Sequence, residues 1–366
     1  MEEKKLAFGC MRLPMKNHEV DYEEFNKMID LYMKEGFNYF DTAHGYLDGK
    51  SEIAIRECLA KRYPRESYVL TNKLTKPYFK TKEDIRPFFE NQLKWSGVEY
   101  FDYYLMHAQD RNTYPHFQET EAYEVACELK KEGKIKHLGI SFHDTAEMLE
   151  KILTEHPEIE IVQIQFNYMD FKNPSVQSEK VYNVCRKFNK PVLIMEPVKG
   201  GGLVNLPDEA KKIFDNLGQN LSYASYAVRF AASFDGVFKV LSGMSNFEQM
   251  QDNLSYMKNF KPLTDEEFKS IENVVSILND LGGIPCTACR YCVEGCPKKI
   301  SIPDLFGCYN AKVQFKDWNS DYYYGVHIQD NGKASDCIKC GKCERICPQH
   351  LEIRNHLEKV AKTFEK

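Results

Sequence analysis

Eight of the thirteen cysteines in this 366-residue chain fall into two copies of one spacing, both in its last quarter. The first copy is Cys286, Cys289, Cys292 and Cys296, followed by Pro297; the second is Cys337, Cys340, Cys343 and Cys347, followed by Pro348. Each C-x2-C-x2-C trio brings three thiolates to a tight loop, where they reach three irons of one [4Fe–4S] cube. The fourth ligand of each cube must come from elsewhere, and the proline helps turn the chain away. Doubled C-x2-C pairs also bind zinc, but a zinc site takes four ligands and has no use for the third cysteine of each trio. A disulfide framework fits less well still. Cys10, Cys58, Cys127, Cys185 and Cys308 are scattered singly, as free thiols of a reducing compartment are. The runs predict a redox protein.

The remaining three quarters read as ordinary globular chain, with 28% charged and 43% hydrophobic residues. A net charge of −5 gives no reason to expect nucleic acid or an anionic membrane as partner. No apolar stretch approaches the roughly 18 residues of a membrane helix, and residues 1–10 lack an apolar leader core. The expected location is the cytoplasm.

Short apolar runs alternate with helical-period segments through residues 6–260. Strands are expected at 6–9, 38–41, 68–73, 101–107, 135–141, 161–166, 191–196 and 237–242. Helices are expected at 22–34, 51–61, 82–95, 120–132, 146–155, 176–188 and 222–233. Such alternation is what a closed (β/α)8 barrel requires, and the Gly-rich fingerprint of a doubly wound sheet is missing after the first strand. A further helix over 265–279, capped by Thr264, stops at Gly282 and Gly283. The expected organisation is therefore a barrel domain over 1–283 and a small α+β cluster domain over 284–366. Residues 302–334 carry Phe306, Tyr309, Phe315, Trp318, Tyr322, Tyr323 and Tyr324. These aromatics are expected to pack a domain that has little core of its own, with a partner surface as the alternative.

In such a barrel the chemistry sits where strands end. Asp41, Lys73 and His107 end the second, third and fourth expected strands, and Tyr46 follows Asp41 in Asp-Thr-Ala-His-Gly-Tyr. A lone strand-end histidine or lysine has ordinary structural explanations, but four such residues on one mouth form a coherent group. A tyrosine near pKa 10 is a poor proton carrier at neutral pH. A nearby ammonium favours tyrosinate, and a carboxylate holds that ammonium in place. Lowering the tyrosine by two units would take about 2.7 kcal/mol. A neutral histidine donating to the same oxygen would orient a substrate carbonyl. His44 and Glu196 lie close by; a loop hydrogen bond is the simpler reading of His44, and Glu196 is either a substrate-side acid or the partner of a barrel lysine.

These stretches (Leu6 to Pro14, Phe40 to Ala43, Thr71 to Lys73 and Tyr104 to His107) resemble the aldo/keto reductases across roughly residues 5–280. The resemblance implies that Tyr46 is the general acid/base, tuned by Lys73, with Asp41 pairing Lys73 and His107 orienting a small carbonyl substrate. It further implies that Ser141 and Gln163 hold the carboxamide of a nicotinamide cofactor, NAD(H) or NADP(H). Gly200, Gly201 and Gly202 would admit the pyrophosphate, and Gly243, Gln249 and Asn253 belong to the last cofactor stretch. That stretch lacks the basic residues that usually read a 2′-phosphate, which puts NADPH preference in doubt and makes NADH plausible. Lys199 and Arg229 are alternative phosphate ligands from other directions. Phe142 and Met195 also depart from the family pattern, so a flavin is a third candidate occupant.

The cysteine runs resemble bacterial two-cluster ferredoxins. There the fourth cysteine of each run serves the other cube. By that resemblance one cube is held by Cys286, Cys289, Cys292 and Cys347, the other by Cys337, Cys340, Cys343 and Cys296. Three functions remain open from sequence. One is a nicotinamide-dependent carbonyl reductase with an appended cluster module. Another is a flavin- or ferredoxin-linked reductase fed by the clusters, with an external carrier such as ferredoxin as partner. The last is a non-enzymatic electron carrier with an idle barrel.

Overall fold

In the computed structural model, residues 4–174, 176–286, 288, 290–347 and 349–365 are described. Eight parallel strands form the barrel: β1 (Leu6–Gly9), β2 (Tyr39–Asp41), β3 (Val69–Leu74), β4 (Phe101–Gln109), β5 (Ile135–Phe142), β6 (Ile161–Gln165), β7 (Val192–Met195) and β8 (Val237–Ser242). Each pairs with its sequence neighbours, and β8 pairs with β1 to close the ring, Leu6 lying opposite Val240 and Phe8 opposite Phe40. Alternation along the strands explains their continuous apolar runs. Ala7, Tyr39, Leu105, Ile161, Leu193 and Leu241 pack together inside the barrel, while Leu6, Phe8, Phe40, Tyr104 and Met106 pack beneath the surrounding helices.

The helices follow local rules. Asp21 caps Tyr22–Lys34 by accepting the Glu24 N–H at 3.1 Å, and Phe25, Met28, Ile29 and Tyr32 repeat at helical spacing on its buried face. Thr81 and Asp84 form a capping box on Lys82–Ser96, which Gly97 ends at φ 68°. The helix expected over 51–61 is α-helical only over Lys50–Ile55 and continues as a π turn, Arg56–Ala60. A small hairpin, Met15–Lys16 with Glu19–Val20, also went unexpected. Its turn is built from Asn17 and His18, both at positive φ, rather than from the Asn-Gly pair that usually signals one.

Thr264 caps Asp265–Asp280, and the chain then enters the cluster region. Helices Ile302–Phe315, Asn319–Ile328 and Ile353–Phe364 form its framework, and short helices Tyr291–Glu294 and Lys342–Ile346 lie within the cysteine runs. Strand pairing among the described residues of this region is reduced to one bridge between Ile300 and Gly332. A second core joins Ile284, Ile302, Leu305, Phe306, Tyr323, Tyr324, Leu357 and Val360. The aromatic segment therefore packs this domain as expected, but Phe315 and Tyr322 also reach the barrel. Among the described residues no helix is long and apolar enough to cross a membrane.

Candidate active site and cluster cavities

Parallel pairing of β2 with β3 sets Asp41 beside Thr71, two residues from Lys73, so both side chains share the barrel mouth. Lys73 Nζ donates to Asp41 Oδ1 at 2.6 Å and to the Thr42 carbonyl at 2.8 Å. The other carboxylate oxygen, Oδ2, accepts from Gln163 Nε2 at 3.1 Å. Tyr46 lies above this pair, its ring centroid 4.8 Å from Lys73 Nζ. Leu47, Asp48 and Gly49 all adopt positive φ directly after Tyr46, a costly sequence of conformations that reverses the chain there. The His107 ring lies 6.1 Å from the Tyr46 ring, and its Nδ1 is 2.7 Å from Thr75 Oγ1. All four expected residues thus converge, and Thr75 and the Thr42 carbonyl join them as partners that no sequence spacing had signalled.

Burial dominates the electrostatics of this group. It pushes the Tyr46 hydroxyl above its ordinary pKa, and the opposing pull of Lys73 is the smaller effect. This corrects the expectation of a tyrosine lowered by its lysine: Lys73 acts in that direction but loses to desolvation. Burial, helped by the Lys73 charge and His143, holds His107 well below 6.5, so its imidazole is neutral. Burial also disfavours the Lys73 ammonium, but Asp41 and Tyr46 outweigh it and keep that charge in place. Asp41 is raised by its own burial against the pull of Lys73.

The neighbouring residues divide clearly. His44 Nδ1 is 2.6 Å from Glu52 Oε2, and its ring stacks on Trp95 at 4.4 Å, which makes it a structural residue. Of the two readings of Glu196, the ion-paired one is nearer: it pairs with Arg12 at 3.3 Å, an arginine rather than a lysine. Ser141 Oγ accepts the Ala108 N–H at 2.8 Å, leaving its own proton for another acceptor. Gln249 Oε1 accepts the Ser245 N–H at 2.7 Å, whereas Asn253 Oδ1 is buried with no partner among the described residues. That orphaned acceptor is a vacancy a ligand donor would satisfy, so the stretch fits a bound cofactor.

The alternative phosphate ligands do not hold up. Lys199 is buried between Asp170 at 2.6 Å and Asp317 at 2.8 Å, and Arg229 is bidentate on Glu267 at 2.6 and 3.1 Å. Burial of each cation demanded a carboxylate, which consumed the charge. Arg12 is the cation the sequence reading missed. Its guanidinium lies 3.7 Å from where a Cβ would stand on both Gly200 and Gly243, bridging the two expected glycine stretches. Gly200 and Gly201 need their positive φ, 62° and 96°, and Gly202 lies against Phe315 of the cluster domain.

The cluster domain closes over the barrel mouth. Tyr322 donates to Asp110 Oδ2, Asn319 Nδ2 donates to Gln165 Oε1 at 3.4 Å, and Asp317 holds Lys199. His143, beyond β5, packs against the rings of Tyr322 and Tyr323 at 5.3 and 6.0 Å. Beyond this contact lie two small cavities. Cys286, Cys292 and Cys347 line one with Ile302 and Phe306; Cys296, Cys337, Cys340 and Cys343 line the other. Cys289 lies outside the described residues. Each cavity draws thiols from both runs, a donor set suited to iron–sulfur clusters.

Comparison with known proteins agrees with this picture. Residues 5–276 match the model of the aldo/keto reductase family, and residues 285–351 match a 4Fe-4S dicluster domain. The NADH-specific methylglyoxal reductase of Escherichia coli (strain K12) is 25% identical over 264 residues, covering 60% of this chain and 78% of that protein. The holo form of aldo-keto reductase AKR11C1 from Bacillus halodurans superposes with a TM-score of 0.60 at 25% identity, covering 74% of this chain and 91% of that one. An aldo-keto reductase from Klebsiella pneumoniae in complex with NADPH gives a TM-score of 0.60 at 20% identity, covering 75% and 96%.

Proposed function

Because the chain belongs to the aldo/keto reductase family and is an oxidoreductase with an iron–sulfur domain, we propose that it reduces a small aldehyde or ketone at Asp41, Tyr46, Lys73 and His107. The observation that carries this reading is the buried Lys73–Asp41 pair directly beneath Tyr46. A bound nicotinamide cofactor would supply the hydride for the carbonyl carbon. Tyr46 gives its proton to the carbonyl oxygen, which becomes the alcohol hydroxyl. With its pKa raised by burial, Tyr46 stays protonated through neutral pH, the state that reduction requires. Lys73 stabilises the tyrosinate left behind. Thr75 engages His107 Nδ1 and leaves Nε2 of the neutral ring to donate to the same oxygen.

Ser141 and Gln163 would face the carboxamide, Arg12 the pyrophosphate between Gly200 and Gly243, and Asn253 the far end of the cofactor. The paired state of Lys199 and Arg229 leaves 2′-phosphate without a dedicated cation, which favours NADH, the cofactor named for the Escherichia coli relative. In the cluster domain, Cys286, Cys289, Cys292 and Cys347 would hold one [4Fe–4S] cube and Cys337, Cys340, Cys343 and Cys296 the other. The exposed Cys340 and Ile338, beside Lys298 and Lys342, suit exchange of electrons with an acidic carrier such as a ferredoxin.

The test is Tyr46→Phe, assayed with NADH over a carbonyl panel. A loss of roughly 10²–10⁴ in kcat is expected, with iron and sulfide content unchanged. Wild-type turnover by the variant would overturn the role of Tyr46.

A further inference from the structure

A cleft of about 750 Å³ beside the cluster domain has none of Asp41, Tyr46, Lys73 and His107 in its lining. That volume is within the usual range of small-molecule sites, about 300–1,000 Å³. One wall belongs to the barrel, where Phe171, Phe230, Phe234 and Phe268 interlock with ring separations of 5.1 to 6.2 Å. The opposite wall is helix Ile302–Phe315, which turns Pro303, Gly307, Ala311 and Phe315 toward the cleft at four-residue spacing. A slot between facing aromatic and backbone surfaces suits a flat ring system.

Two further observations narrow the occupant. Cys286, Pro303 and Gln349 line both this cleft and the first cluster cavity, so one layer of side chains separates the two. Finally, Lys172 and Lys199 are matched by Glu272 and Asp280 around the cleft, and Lys199 is already held by Asp170 and Asp317. No surplus positive charge awaits a phosphate, which disfavours a flavin nucleotide or dinucleotide.

We infer that this cleft is a second ligand site, for a neutral planar quinone that exchanges electrons with the cluster at Cys286. The inference rests on the reading that Cys286 is a cluster ligand. A one-electron donor of the ferredoxin type, or dithionite in vitro, reduces the cluster. The cluster passes two electrons in succession to the quinone, whose two carbonyls each take one proton from water and become the hydroxyls of the hydroquinone. The cluster returns to its oxidised state after each transfer.

The experiment uses the anaerobically purified full chain, reduced with dithionite, freed of excess reductant and mixed with menadione. Cluster reoxidation should be fast and saturate with menadione concentration. Val275→Trp, a half-buried position on the cleft wall, should slow it at least tenfold while iron, sulfide and NADH-driven carbonyl reduction stay at wild-type levels. Reoxidation that never saturates and is equal in Val275→Trp would overturn the site, since it would mark random collision at an exposed cluster. Flavin released on denaturation of the wild type, and lost in Val275→Trp, would overturn the quinone assignment. Wild type without iron and sulfide would instead sink the cluster reading, a result visible before any quinone is added.

Discussion

The barrel and the cluster domain solve the problem of burying a core in opposite ways. The barrel does it with side chains alone: one continuous core runs from Leu6 to Leu278, and the polar groups beneath the mouth are bonded to one another. The cluster domain has a far smaller core and leaves Tyr291, Val313, Trp318, Ile338 and Ile346 exposed. Its thiols line cavities where the barrel would have placed leucines. A domain of this size commonly needs staples, and ligands that exist only in the folded state convert binding energy into folding energy. The difference teaches where each region should break.

The largest expected effect is therefore in the cluster domain. If each run supplies the fourth ligand of the other cube, Cys347→Ser damages the cube held by Cys286, Cys289 and Cys292. Its remaining paramagnetic signal, in the dithionite-reduced protein, should match that of Cys286→Ser and differ from that of Cys337→Ser. Iron should fall from about eight per chain to about four or fewer. Proteolysis should then cut after residue 284 while the barrel stays intact. A Cys347→Ser spectrum matching Cys337→Ser would show that each run holds its own cube.

A middle-sized effect is expected where the two regions meet. Lys199 is buried between Asp170 of the barrel and Asp317 of the cluster domain. Removing one partner of such a cluster leaves buried charge uncompensated, at a cost of about 3–5 kcal/mol. Lys199→Met should loosen the docking of the cluster domain, seen as faster hydrogen exchange in helices Ile302–Phe315 and Asn319–Ile328. Exchange elsewhere in the barrel should hardly change. If exchange rises uniformly across the chain instead, the two regions unfold as one unit and the comparison fails.

The sequence made these regions legible to different degrees, for physical reasons. Tyr22–Lys34, Ala146–Glu155 and Val237–Ser242 were foreseen to the residue, because burial on a repeating face writes its period into the chain. Asp41, Lys73 and His107 were visible because barrel strands end at or near them, and Tyr46 because it follows Asp41 in the same loop. What escaped depended on contacts distant in sequence. The pairing of Lys199 with Asp317 and of Tyr322 with Asp110 joins separate domains, and no local pattern records it. Arg12 was read as part of a motif, and its place between Gly200 and Gly243 emerged only from the closed barrel. The raised pKa of Tyr46 was hidden for the same reason: its nearest charge is local knowledge, whereas its burial is a property of the whole fold.

The smallest effect tests the contact between the two regions through its pH dependence. His143 belongs to the barrel but packs on Tyr322 and Tyr323 of the cluster domain, and it lies close enough to His107 to affect its charge. Burial lowers its pKa from 6.5 to about 4. Between those values the unfolded chain binds the proton and the folded chain does not, so stability rises with pH across that window. Below about 4 both states are protonated and above 6.5 neither is, so this contribution levels off at each end. The urea midpoint of the full chain, followed by the fluorescence of the aromatic interface, should climb from pH 4 to 6.5, with a slope of at most one proton. His143→Phe keeps the ring packing and removes the titration, and its curve should be flatter over the same range. An unchanged slope in His143→Phe would assign the pH dependence to other groups. It would also leave the docking contact blind to His143, held by Lys199 with its two carboxylates and by the Tyr322–Asp110 and Asn319–Gln165 hydrogen bonds.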